Sequence, residues 1–213
     1  MGGTARRWIP GAVRWTALSL VLAAPVASVE AQTCTPCATP TTCTATEGVK
    51  LRLRKMDDGL GNERLLFRSD LIVPDDTPID LVATGLRLVM VDGTGATTFD
   101  IQIPPGQFNK ATGGWAVNGT GTAWSYRSHD STSADGISRA LVRRHGFGSG
   151  DLKLILFGQD MTFTVPARPI TVTTSLSSGD STATYCGDVT FTDDDCRFRN
   201  QQNKLLCYDR TRP

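Results

Sequence analysis

The chemistry open to this chain is bounded first by its imidazoles, of which it has two, His129 and His145. Nucleophilic catalysis needs a serine activated by an imidazole that a carboxylate orients. Asp130, Ser131 and Asp135 lie close enough in sequence to His129 to compose such a set on paper. They fall in a polar loop, Ser128 to Gly136, and triads are defined by geometry rather than by proximity along the chain. Gly146-Phe147-Gly148-Ser149-Gly150 resembles a nucleophile elbow only superficially, because G-x-S-x-G requires one residue on each side of the serine and a helix after it. It reads as a turn before Leu152, and no catalytic residue is expected.

Three other chemistries are available. Calcium takes six to eight oxygens, often from loops of extracellular β-domains, and acidic clusters occur at Asp57 with Asp58, at Asp75 with Asp76 and Asp80, and at Asp193-Asp194-Asp195. None has the D-x-[DN]-x-[DN]-G spacing, so solvated turns are expected there and no cofactor is, calcium being the one to test. Trp115, Trp124 and Tyr126 are ligand candidates for stacking against pyranose rings. Large aromatics of a sandwich are ordinarily core, however, and Trp124 and Tyr126 share one face of a strand. Finally, Lys50, Arg52 and Arg54 form a basic stripe, extended if Arg64 and Arg68 join it, that suits an anionic partner such as a cell-surface polysaccharide. The same charges would also protect a sheet edge from aggregation.

All six cysteines cluster at two places, Cys34, Cys37 and Cys43 early and Cys186, Cys196 and Cys207 late. An even set in an exported chain is a disulfide framework. Cys196 and Cys207 flank a hairpin-like segment and are expected to pair. A leading cysteine, Cys43 first, is expected to reach Cys186. Cys34-Thr35-Pro36-Cys37 has the spacing of a redox or metal pair but lacks a βαβ context, a following histidine and a second CxxC, so structural disulfides are expected.

Export is read from the start of the chain. Arg6, Arg7 and Arg14 precede an apolar run from Thr16 to about Ala27, and Val29-Glu30-Ala31 offers a small-x-small cleavage site. Residues 1–31 are therefore expected to be a signal peptide, 32–47 a Cys/Thr/Pro-rich segment and 48–213 one β-domain, with the mature protein periplasmic or extracellular. The apolar run falls short of the roughly 20 residues that span a bilayer, and no transmembrane segment is expected. Removing it takes three of 22 basic and one of 21 acidic residues, leaving 19 against 20. That near-neutral balance argues against nucleic acid as a partner.

The elements that must position these residues are strands. Val49 to Arg54 alternates apolar with basic residues, and Glu63 to Arg68 returns after a glycine-bearing turn, giving a hairpin with one buried face. A second hairpin is expected from Gly85–Val91 and Thr98–Ile103, with Phe99, Ile101 and Ile103 inward. Shorter strands are expected at 113–117, 122–127, 137–145, 152–157, 161–165, 170–176 and 182–186. No window carries sustained helical periodicity. Eight to ten strands punctuated by glycine and proline predict an all-β, antiparallel β-sandwich tied by disulfides at both ends.

Lys50-Leu51-Arg52-Leu53-Arg54 with Arg64-Leu65-Leu66-Phe67, then Ala123-Trp124-Ser125-Tyr126-Arg127, Leu152-Lys153-Leu154 and Ala183-Thr184-Tyr185-Cys186-Gly187, resemble a family of uncharacterised secreted bacterial β-domains. Its members read KLxIK, RKLxF, GYKYKD, KLLK and RYC at similar places. The likeness spans residues 48 to 192 and departs where Trp124 stands for the first aromatic of GYKYKD. It implies a fold and no activity. The expectation is an exported, non-catalytic binding or structural module, with a secreted hydrolase or a carbohydrate- or calcium-binding module as alternatives.

Overall fold

The computed structural model describes residues 44–56, 61–129, 133–146, 148–179, 183–201 and 203–209. Thirteen strands are found among them, more than the eight to ten expected: β1 (Thr44–Ala45), β2 (Glu47–Arg54), β3 (Glu63–Ile72), β4 (Leu86–Val91), β5 (Thr97–Ile103), β6 (Gly113–Val117), β7 (Ala123–Ser128), β8 (Ile137–Arg144), β9 (Asp151–Met161), β10 (Ile170–Ser177), β11 (Thr184–Phe191), β12 (Cys196–Arg199) and β13 (Lys204–Tyr208). One helical turn, α1 (Leu81–Thr84), is capped by Asp80, whose carboxylate accepts from the amides of Val82 and Ala83. The strands form two sheets packed as a sandwich. The smaller has the order β1-β11-β10-β4-β5 and the larger β12-β13-β2-β3-β9-β8-β7-β6. All neighbours are antiparallel except β1, which runs parallel to β11.

Period-2 alternation decides which side chains enter the core. Along β2, Val49, Leu51 and Leu53 are buried; along β3, Leu65, Phe67 and Leu71; along β9, Leu152, Leu154 and Leu156. Leu88, Met90, Ile101, Val172 and Phe191 of the smaller sheet complete one continuous cluster between the layers. Each such side chain contributes about 1.5–3 kcal/mol by leaving water. Gly187 of β11 lets the layers close: a Cβ there would overlap Thr46 Cγ2 and lie 2.6 Å from Leu71 Cδ1.

Two expectations need correction. Met161–Val165 is not a separate strand, because β9 runs unbroken through Gly158 to Met161 and the chain then leaves the sheet. The Cys/Thr/Pro-rich segment, expected to precede the β-domain, supplies the short strand β1, whose register with Gly187 and Asp188 adds an edge to the smaller sheet. Cys196 and Cys207 are disulfide-bonded and lie directly opposite each other on β12 and β13. Cys186 is also disulfide-bonded. Cys34, Cys37 and Cys43 lie outside the described residues.

The outer face of the smaller sheet is chemically quiet. Arg87 donates through Nε and Nη2 to the two oxygens of Asp100, at 2.7 and 2.6 Å, and Thr171 and Thr190 share a hydrogen bond across β10 and β11. The hydrogen bonding and charge of Arg87, working against partial burial, hold the Asp100 carboxyl below its ordinary value. A carboxyl depressed on folding stabilises above its unfolded pKa, about 3.9, and that contribution is lost as pH falls through the folded value. Asp100→Asn is therefore expected to lower the melting temperature at pH 6, with the gap to wild type closing below about pH 4; a constant gap across pH would refute the assignment.

Candidate anion-binding face

The larger sheet presents the opposite picture on its outer face. Register places Arg199, Lys204, Arg54 and Arg64 in one row across four strands. The next row runs Arg197, Leu206, Arg52, Leu66, Phe157, Arg139 and Arg127 across seven. The third is Tyr208, Lys50, Arg68, Ile155, Leu141 and Ser125, and a fourth holds Asp70, Lys153 and Arg143. Twelve cations thus share one surface with three acidic positions, Glu47, Asp70 and Asp151, grouped by register at a single end of it. With strands about 4.8 Å apart, the row from Arg197 to Arg127 spans roughly 29 Å.

None of these twelve cations has an ion-pair partner among the described residues, where the salt bridges are Arg87–Asp100 and Arg168–Asp193. Like charges stand directly opposite each other at Arg54–Arg64, Lys50–Arg68, Arg54–Lys204 and Arg127–Arg139, an arrangement that destabilises a sheet. The mutual field is felt at Lys204, whose ammonium is depressed below the ordinary lysine value by desolvation and by the charges of Arg54, Arg52 and Arg199. At Tyr208 burial alone would raise the phenol, but hydrogen bonding and charge from Arg52 and Lys50 bring it below its ordinary value. Lys50 also lies 5.0 Å from the Tyr208 ring centroid. The apolar residues between the cations stay low: Leu66, Ile155 and Leu141 are half-buried and Leu206 is buried, as expected where long basic stems lie over them. Phe157, at 41% exposed, and Ile72, at 46% and opposite Asp151, are the exceptions.

Self-repulsion of this kind is relieved by screening. The Debye length falls from about 30 Å at 0.01 M salt to 10 Å at 0.1 M, so the melting temperature is expected to rise by about 3–6 °C between 10 and 300 mM sodium chloride, taking about 2–4 °C per kcal/mol for a domain of this size. A salt-independent midpoint would mean that the charges do not oppose folding.

The other candidates are dispersed. Trp115, Trp124 and Tyr126 are 0%, 3% and 3% exposed; they point into the core, with Trp115 Nε1 donating to the Pro104 carbonyl and its ring 5.3 Å from that of Tyr126. Burial removes them as a sugar-stacking platform, because a ring that fills the sandwich has no free face. His129 follows β7 and packs its ring near Phe108, whereas His145 follows β8 and donates its backbone amide to Asp151. Since β7 and β8 are antiparallel, the two histidines sit at opposite ends of the sheet. Neither imidazole hydrogen-bonds a serine or carboxylate among the described residues; Asp130 and Ser131 lie outside them. Several acidic groups are already engaged: Asp75 accepts from the Gly150 amide, Asp80 caps α1, Asp195 accepts from the Thr192 amide and Asp193 pairs with Arg168. No cluster of three or more potential metal ligands occurs among the described residues, and Asp57 and Asp58 fall outside them. Asn118, at a glycosylation-type triplet, uses its amide to hold the turn before β7.

The basic stripe read in β2 and β3 is thus part of a larger face. Arg127, Arg139, Arg143, Lys153, Arg197, Arg199 and Lys204 were not grouped with it by sequence. Each sits at an outward position of an alternating segment, a signal that shows orientation but not which strands are neighbours. Fold and face together define a disulfide-linked all-β sandwich with a cationic surface on its larger sheet. No family model, curated protein or solved structure matches this chain.

Proposed function

We propose that this protein is an exported, non-catalytic binding module that holds an anionic cell-surface polysaccharide across the outer face of its larger sheet. The observation that carries the reading is the concentration of twelve cations on one face with no ion-pair partner among the described residues, an arrangement of like charges that opposes folding. A face kept only for solubility would be served by mixed charges. The disulfide between Cys196 and Cys207 suits an oxidising compartment, and no described helix is long and apolar enough to cross a membrane.

The shape of the face favours a polysaccharide over other polyanions. A lipid surface would call for protruding apolar side chains, and the apolar residues here are mostly sunk beneath arginine and lysine stems. Single-stranded nucleic acid is held by several stacking aromatics, and this face exposes Phe157 and the Tyr208 ring only. The total charge is near zero, so attraction is confined to the patch.

The test is retention of the purified protein on immobilised polysaccharides that are carboxylated, sulfated, phosphorylated or neutral, with duplex DNA as a parallel ligand. Binding to an anionic polysaccharide, absent on the neutral one and falling linearly in log–log form with salt, is expected. Equal or tighter binding to DNA would replace the polysaccharide with nucleic acid, and no retention by any polyanion would end the proposal.

A further inference from the structure

The cationic face is not uniform. Two β-bulges converge at Gly158. Between Glu63 and Leu65, β9 carries an extra residue opposite β3, with Asp160 in the left-handed region at φ 53°. Between Ile137 and Arg139, β8 carries an extra residue opposite β9. Bulges bend a strand and re-aim its side chains, and they gather beside functional sites. Beside them lies a notch of about 310 Å³. Arg52, Arg54 and Arg64 line one side; Phe157, Ser138 and Gln159 line the other.

Three guanidiniums beside one exposed aromatic ring make a composite recognition element. Guanidinium forks match oxyanions that offer several acceptor oxygens, and they do so better than lysine. Arg52 brings its guanidinium to the notch while also hydrogen-bonding the Tyr208 phenol, and its buried Nε has no acceptor among the described residues. Phe157, flanked across the strands by Leu66 and Arg139, offers the apolar surface on which the carbon face of a sugar ring can lie. Ser138 Oγ donates to the Phe157 carbonyl at 3.2 Å, which fixes the backbone beneath that ring.

We infer that this notch is a subsite for a pyranose bearing a tetrahedral oxyanion ester, phosphate or sulfate, with the ester on the three arginines and the ring against Phe157. This rests on the polysaccharide reading of the face and adds to it the identity of the repeating unit. The rest of the face then supplies sequence-independent attraction to the chain, and the notch selects among anionic chains.

The experiment is calorimetric titration of the intact protein with a pyranose 6-phosphate, a pyranose 6-sulfate, a pyranose uronate, the neutral pyranose and inorganic phosphate. The ester is expected to bind at least tenfold more tightly than inorganic phosphate and than the uronate, with no heat from the neutral sugar. Phe157→Ala is expected to bring the ester down to the level of inorganic phosphate. Arg64→Gln is expected to weaken the ester at least tenfold, and Lys110→Gln, an exposed loop position outside the face, to change it by less than twofold. Phosphate and sulfate arms distinguish the two esters. A uronate that binds as tightly as the esters, or an unchanged affinity in Phe157→Ala, overturns the notch assignment even if the polymers are retained. Failure of every polymer in the retention experiment would instead bring down the face itself.

Discussion

Arg52→Glu, Arg54→Glu and Arg64→Glu combined are expected to cost roughly 10³-fold in affinity for an anionic polysaccharide at low salt, taking about 1.5 kcal/mol for each charge-assisted contact. The same variant should be more stable than wild type in low salt. Arg54 faces Arg64 and Lys204 directly across the sheet, and a glutamate among those cations turns repulsion into attraction worth about 0.2–1 kcal/mol per pair. Binding and stability are thus expected to move in opposite directions, as they do when a surface is held against its own repulsion for a ligand. Measuring the melting temperature at 10 mM salt beside polymer retention checks both. A variant that loses stability while keeping retention would assign these arginines to the fold alone.

Cys196→Ala with Cys207→Ala is expected to lower stability by about 3 kcal/mol, the loop-closure value for a short loop, and the melting temperature by about 10 °C. The bonded residues are 11 apart in sequence, and β12 hydrogen-bonds only to β13, at the margin of the larger sheet. Without the bond, the β12–β13 hairpin is held by β13 pairing with β2 and by the packing of Phe198 and Leu205. Early amide exchange is therefore expected in 196–208 rather than across the whole sheet. Because the hairpin carries Arg197, Arg199 and Lys204, polymer retention should weaken in parallel, by less than in the triple glutamate variant. An unchanged melting temperature would show that packing alone anchors the hairpin.

Much of the architecture was legible in the chain because alternation is a local signal. Leu51 and Leu53 between Lys50, Arg52 and Arg54 specify an inside and an outside without reference to any other segment, and Cys196 with Cys207 marked its own hairpin. Phe99, Ile101 and Ile103 fixed the inner face of β5 in the same way. The boundaries failed where local and long-range demands differ. Separate strands were expected at 152–157 and 161–165, yet β9 continues through Gly158 because pairing with β3 on one side and β8 on the other outweighs the weakness of a glycine. Trp115 and Trp124 were ambiguous for a related reason: an aromatic at one position of a strand is core or platform according to what covers it, and the sequence does not say what does.

The candidate site shows the same division more sharply. By itself the sequence determined that basic residues occupy outward positions on β2, β3, β7, β8, β9, β12 and β13, since their apolar neighbours demand the core. It gave no means of knowing that these strands lie side by side, because strand order is set by contacts between segments far apart in sequence, such as Leu206 opposite Arg52, and is written in no local pattern. Summed over the chain, the charges cancel. Only the tertiary structure decided that cations gather on one sheet while most carboxylates go to loops and the other layer, and electrostatic attraction to a polyanion depends on that distribution in space rather than on the total.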